Sequence, residues 1–453
     1  MIISITTDTS GTVWQLTAVV IAVLSLVAMI GWGKMQPLLA FVIASIGAAL
    51  LLQMPLDTIP KSIEKGIGEM LGSLAVLLAL GAIFGKMIAD SGAAQKIASV
   101  LIKAFGASRM SLALALTGFV VGIPLFYNVG FVLLAPLVFS LGRQSGKSLV
   151  WLAIPLMAGL SVAHGFLPPH PSPTAIVPML GGDLGLTLLY GLAVGIPTVL
   201  IAGPAFAMTV GKIAAHPPEL FVSPPVSDQD LPSAFNAFGT ALLPVVLLSG
   251  ATALSYSGLV AEAYKPLVAF VSHPILVMLI AVMVASLSLG MCRGTGFRHL
   301  MEKSGSALRE IAPILLIIAG AGALKQILID SGVSAVLGSV MQTLPLPPLV
   351  LGWLIAGAIR VSLGSATVAG LTAAGLVAPL VASSGVNPNL MVLAVGAGSL
   401  MFSHVNDFGF LDVQGIFRPV GQGHPQNLDL DGGARGHCRI DLRSRAEPVC
   451  RMT

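Results

Sequence analysis

The chain has 453 residues, of which 55% are hydrophobic and only 9% charged, and its mean hydropathy is +0.94. A soluble protein of this length carries about a quarter charged residues, so the composition excludes a water-exposed globular surface and calls for lipid around most of the chain. The net charge of +4 forms no basic stripe, which argues against a nucleic-acid partner.

In chain order, the first apolar run is Trp14 to Met29. No basic segment precedes it and no small-residue cleavage site follows, so it reads as a spanning helix rather than a leader. A span needs roughly 20 apolar residues. Candidate spans lie near 13–31, 37–54, 68–89, 109–125, 129–142, 149–165, 186–208, 237–256, 267–290, 311–328, 347–360, 366–384 and 389–403. Several are short or interrupted. The expected fold is therefore an all-α polytopic membrane protein with about ten to twelve transmembrane helices and some re-entrant or broken pieces. The 51 glycines and 30 prolines suit helices that break at membrane depth.

The longest polar interruption before the tail, His216 to Pro232, is rich in proline and acidic residues and cannot continue a helix. It divides the chain into a first membrane half at 1–215, a connecting loop at 216–236 and a second half at 237–410, followed by a charged tail at 411–453 that is expected to lack fixed structure. Cations such as Arg143, Lys147, Arg293, Arg298 and Lys303 sit in short loops, but opposing loops also carry lysine, so orientation is weakly determined.

The halves repeat. Gly85–Leu101 resembles Lys325–Met341, with Asp90-Ser91-Gly92 matching Asp330-Ser331-Gly332. Downstream, LLAPLV at 133–138 answers LVAPLV at 376–381, and the segments at 158–171 and 396–409 align His164 with His404. Ordered repeats with interrupted helices point to a secondary transporter and its central site. Sequence similarity leaves open whether the copies are inverted.

Three segments interrupt helices with polar residues: 122–131, 161–176, and 360–367 with the later 403–407. Unwound backbone at membrane depth lines a cavity or packs on protein, and half-helix N-termini suit an anion. Arg360 could hold a carboxylate with its planar fork; the alternative is an interfacial arginine reaching for water. Asn128, Ser362, Ser365, Thr367 and Asn406 are candidate hydrogen-bonding ligands, against a packing role. His164, His170, His404 and Asp407 are candidates for proton handling, against a role in holding loops. Asp90 and Asp330 read as turn or cap residues. Cys292, Cys438 and Cys450 have no metal-binding spacing. No metal or cofactor is expected, and the absence of H-E-x-x-H and G-x-S-x-G gives an enzyme no foothold.

At these residues the chain resembles the gluconate permease family of proton symporters. The likeness is carried by ALGAIFGKMIADSGAAQKIA, GIPLFYNVGFVLLAPLVF, AGLSVAHGFLPPHPSPTA, GSATVAGLTAAGL and FSHVND, and runs from about Trp14 to Phe410. It implies uptake of gluconate or a related sugar acid with a proton across the inner membrane, by two related halves. Some members carry D-serine, which keeps a small hydroxy or amino acid as the rival substrate. The partners implied are a sugar-acid substrate, a proton and the lipid bilayer, with a homo-oligomer possible.

The tail departs from that family, in which Ser-His-Val-Asn-Asp is followed by Pro-Gly-Phe-Trp and a last membrane helix. From 411 onward about a quarter of the residues are charged and no helical apolar period remains. Codons permitted for 411–419 read, one base on, as Trp-Met-Phe-Lys-Gly-Tyr-Phe-Asp. A one-base insertion near codons 410–411 is the expected cause, and an inactive frameshifted product is the corresponding rival to a working carrier.

Overall fold

The computed structural model describes residues 9–211 and 230–401, and every regular element among them is helical. The helices run α1 (Thr9–Gly31), α2 (Pro37–Leu51), α3 (Ile59–Asp90), α4 (Ala93–Phe105), α5 (Met110–Gly122), α6 (Tyr127–Ser145), α7 (Leu149–Phe166), α8 (Pro171–Leu180) and α9 (Leu184–Leu200), which a π turn joins to α10 (Phe206–Val210). After the undescribed segment come α11 (Ala234–Tyr256), α12 (Lys265–Val271), α13 (Pro274–Ala285), α14 (Phe297–Asp330), α15 (Val333–Thr343), α16 (Pro348–Leu363), α17 (Ala366–Ser384) and α18 (Pro388–Ser399). Eight helical stretches are long and apolar enough to cross a membrane, or up to ten if two sharply bent pairs each count as one span. Those pairs are α4 with the helix through α5, bent by 108°, and α15 with α16, bent by 112°. The upper count meets the lower edge of the ten to twelve expected; α2 and α18 are shorter apolar helices that the sequence had suggested as further spans.

The repeat is visible as a repeated order of elements. A long helix (α3 of 32 residues, α14 of 34) ends at Asp-Ser-Gly, a short amphipathic helix follows, then an apolar helix that stops at a break, and then a proline-containing helix. Gly92 at φ 80° and Gly332 at φ 77° make the two turns, a left-handed conformation that favours glycine. The aspartates do not cap the next helix, contrary to expectation. Ser91 Oγ receives the Ala93 N–H at 3.3 Å, while Asp90 faces Lys86 at 3.8 Å and Lys303 at 3.2 Å. Asp330 accepts from Gln326 Nε2 at 2.8 Å.

The contacts between α3 and α14 settle the relative direction of these equivalent helices. Gly66 abuts Gly322 and Gln326, Lys325 lies in the field of Glu69, Lys86 faces Glu310 at 3.7 Å, and Asp90 faces Lys303. As the residue number rises along α3 it falls along α14, so the pair is antiparallel. Equivalent helices that run in opposite directions make the two copies an inverted repeat, a common transporter plan. Small residues permit the close approach, since a Cβ on either Gly66 or Gly322 would overlap the other's carbonyl. One apolar cluster joins both copies, including Leu74 of α3, Ile176 of α8, Ile318 of α14 and Leu371 of α17. Most of the connecting loop at 216–236, the tail at 411–453, and His404, Asn406 and Asp407 lie outside the described residues.

Candidate functional site

Two broken helices of the first copy meet against α3. α5 stops at Gly122, and Pro124, which has no N–H to donate, carries the chain through a non-helical turn before α6 begins at Tyr127. α7 stops at Phe166, passes through the cis Pro168–Pro169 peptide, and α8 begins at Pro171 with His170 in the capping position. His170 Nε2–H donates to the Gly122 carbonyl, tying one break to the other. The His164 ring lies edge-on to His170 with centroids 5.0 Å apart, and Phe126 stands at 6.3 Å. On α3, Gly85 abuts the Pro124 carbonyl, and a Cβ on Gly81 would lie 3.9 Å from that of Pro169. The cavity between them is only about 10 Å³, so the described conformation is closed here.

The hydrogen-bond inventory of α8 is unusual. Pro171 and Pro173 have no N–H, and Thr174 N–H already reaches the His170 carbonyl at 3.0 Å. Of the first-turn donors a helix normally leaves over, only the Ser172 N–H remains. The expected cluster of free amides is therefore reduced to one. Side chains replace it: His170 Nδ1, Ser172 Oγ and Thr174 Oγ1 are all buried with no hydrogen-bond partner among the described residues.

The second copy contributes the break between α16 and α17. Gly364 at φ 75° ends α16, and Ser365 caps α17, its Oγ accepting from Val368 N–H at 3.4 Å. Arg360 lies in the last turn of α16 and is 0% exposed, so it is enclosed by neighbouring helices and does not reach outward. A cation there faces the carbonyl end of its helix, a favourable position. Thr367 is half-buried in the first turn of α17. Ser362 is exposed and donates to the Ala358 carbonyl at 3.2 Å, while its own carbonyl lies against Gly31 of α1; this is a packing arrangement. Asn128 is exposed on the first turn of α6.

α8 links the copies. Ser172 Oγ lies 3.1 Å from where a Cβ on Gly370 of α17 would stand, and the Cβ of Ser399 of α18 lies 3.6 Å from the same point. The structure thus brings His164 and His170 together, groups Arg360, Ser365 and Thr367 at a second break, and sets α8 against both regions. Ser172 and Thr174 are the residues that sequence reasoning passed over within 161–176. The alternation Pro-Ser-Pro-Thr was the available signal, since it pairs residues that cannot donate with residues that can. Among the described residues no group of three metal-ligating side chains gathers.

Elsewhere, a cavity of about 340 Å³ is lined by Lys61, Lys65, Ser62, Thr58 and Asp330 at the far end of α14. Another, of about 380 Å³, lies at the C-terminal end of α8 near Asp183, Tyr256 and His273.

Comparison with known proteins agrees with this architecture. Among solved structures, the YdaH transporter of Alcanivorax borkumensis aligns with a TM-score of 0.58 at 15% identity, covering 84% of this chain and 90% of that one. MtrF of Neisseria gonorrhoeae aligns at 0.56 and 16% identity, covering 81% and 79%. At such identities the likeness concerns the fold. The high-affinity gluconate transporter of Escherichia coli is 44% identical over 87% of this chain and 90% of its own length. The Gnt-II system L-idonate transporter of the same organism is 42% identical over 87% and 90%, and the gluconate permease of Bacillus subtilis 41% identical over 87% and 91%. Residues 14–418 match the family described as GntP family permease, and the chain belongs to that family.

Proposed function

We propose that this protein is a multi-pass carrier of the bacterial inner membrane that imports gluconate or a closely related sugar acid together with a proton. Support for the substrate class comes from relatives named for gluconate and L-idonate that are more than 40% identical over 87% of its length. Support for the mechanism comes from the inverted repeat with broken helices at its centre.

The single observation that carries proton coupling is the arrangement of His170. Its Nε2–H is committed to the Gly122 carbonyl, which can only accept, so the neutral ring presents Nδ1 as an acceptor. Nδ1 is buried and has no hydrogen-bond partner among the described residues. A proton arriving there turns the acceptor into a donor and places a positive charge beside the N-terminal end of α8, where the helix dipole already favours an anion. A carboxylate then neutralises that charge, so proton and anion stabilise each other and the loaded site is electrically neutral. The titratable neighbour facing His170 is His164 on α7. Among the described residues, the small cavity beside it is lined by glycine, alanine, proline, leucine, isoleucine and Phe126, none of which titrates.

The test is uptake of labelled gluconate at several external pH values by cells that lack their own carriers and express this chain. Uptake that rises in acid and collapses with a protonophore supports symport. Uptake that ignores both overturns the coupling. Competition by L-idonate, D-serine and small hydroxy acids identifies the preferred substrate.

A further inference from the structure

We infer that Ser172 and Thr174 form a substrate-binding site on the first turn of α8, where their hydroxyls bond the polar groups of a polyhydroxylated acid. The inference rests on the transport reading above and adds to it the groups that recognise the cargo.

Ser172 is 2% exposed and Thr174 0%, and neither hydroxyl has a hydrogen-bond partner among the described residues. Elsewhere among the described residues several buried hydroxyls are satisfied, while those of Ser111 and Ser249, each alone on its helix turn, are not. Ser45 donates to Phe41 O at 2.7 Å, Thr117 to Ala113 O at 2.7 Å, Thr372 to Val368 O at 2.8 Å and Ser399 to Gly396 O at 2.8 Å. Those residues use the carbonyl one turn back. Ser172 has no such carbonyl, because the residues before Pro171 are not helical. Thr174 could reach the His170 carbonyl yet does not use it. A buried hydroxyl without a partner is costly, and two on one turn of a half-helix that ends beside a membrane-depth break call for an occupant.

The positions also suit a ligand. Thr174 lies four residues beyond His170, one turn along and on the same side of the helix. Ser172 faces Gly370 of α17, where any side chain would crowd the hydroxyl, since a Cβ there would stand 3.1 Å from Oγ. A ligand at the tip of α8 would therefore bridge a first-copy helix and a second-copy helix. A hydroxyl both donates and accepts, which matches a carboxylate flanked by sugar hydroxyls better than it matches a bare cation. Pro171 and Pro173 remove competing backbone donors, leaving recognition to the two side chains and the Ser172 N–H.

The experiment uses the full chain, purified in detergent, with gluconate and L-idonate as probes. Thermal unfolding is followed with and without each probe for the wild type, Ser172→Ala and Thr174→Val. Thr174→Val keeps the shape and removes only the hydroxyl, so the ligand-free protein should unfold at the same temperature or higher. Its affinity for the probe, read from the concentration dependence of the shift, should fall about tenfold. Ser172→Ala should lose affinity in the same way. Variants that keep wild-type affinity overturn the inference, as does a Thr174→Val protein that unfolds earlier while binding normally, the mark of a structural hydroxyl. A wild type that neither probe stabilises overturns the transport reading itself, and the inference falls with it.

Discussion

Lys303 of α14 reaches Asp90 of α3 at 3.2 Å, while at the inverted equivalent position Asp330 faces a cavity of about 340 Å³ that Lys61 and Lys65 line. One end of the α3–α14 pair is thus clasped and the other is open. The clasp includes Lys86, placed 3.8 Å from Asp90 and 3.7 Å from Glu310, and Arg293, whose Nη1 donates to the Ser91 carbonyl at 2.7 Å.

Asp90→Asn should therefore loosen that end. These side chains are roughly a quarter exposed, so solvent screens the pair and the loss of stability should be at most about 1 kcal/mol. Thermal unfolding at low and high salt checks this, because the difference between wild type and variant should shrink as salt rises. A charge exchange, Asp90→Lys with Lys303→Asp, should recover most of what either single change loses.

His170→Gln separates anchoring from coupling. The Gln side chain keeps an amide N–H that can donate to the Gly122 carbonyl, but its acceptor, Oε1, does not take up a proton as Nδ1 does. The variant should reach the membrane in normal amount and lose the acid stimulation of uptake. It should retain exchange of labelled for unlabelled substrate, which needs no net proton movement. A variant with a wild-type pH profile would exclude His170 as the coupling residue.

Gly66→Ala tests the central helix crossing. The added Cβ would overlap the Gly322 carbonyl and the Gln326 Cβ, neither of which is the free end of a flexible side chain. The expected cost is about 1–3 kcal/mol, seen as earlier unfolding in detergent. Gly72→Ala on the same helix, where a Cβ meets nothing within 4 Å, is the matched control and should be nearly neutral.

The tail is tested at the level of the gene. The family match ends at residue 418, close to where the composition turns charged. Resequencing should reveal an extra base near codons 410–411. Removing it should give a chain with an apolar last helix and higher gluconate uptake.

Much of this was legible in the sequence. Composition implied a helical membrane protein, and the paired Asp-Ser-Gly turns at 90–92 and 330–332 announced the repeat and the start of each short helix. The inversion was not legible, because similarity between two strings says nothing about direction; it required the contacts of Gly66, Lys86 and Asp90 across α14. The segment at 161–176 read as a broken stretch. Its second part is the helix α8, which tolerates Pro171 and Pro173 because a first turn needs no backbone donor. That same tolerance hid Ser172 and Thr174. Arg360 posed a different difficulty, since an arginine at the end of an apolar run reads equally as interfacial or enclosed, and only packing decides. The aspartates of the Asp-Ser-Gly turns were misread because glycine and serine do the work of the turn.

The antiparallel pairing of α3 and α14 also bears on the energetics of the transport cycle. If the two copies were identical in sequence, the inward-facing and outward-facing carriers would be mirror exchanges of one another and would rest at equal free energy. Every mismatch between the copies tilts that balance. Asp90 with its lysine partner, against Asp330 beside an open cavity, is one such mismatch. A change of about 1.4 kcal/mol in it would shift the ratio of the two facing states tenfold without touching a single group that binds cargo.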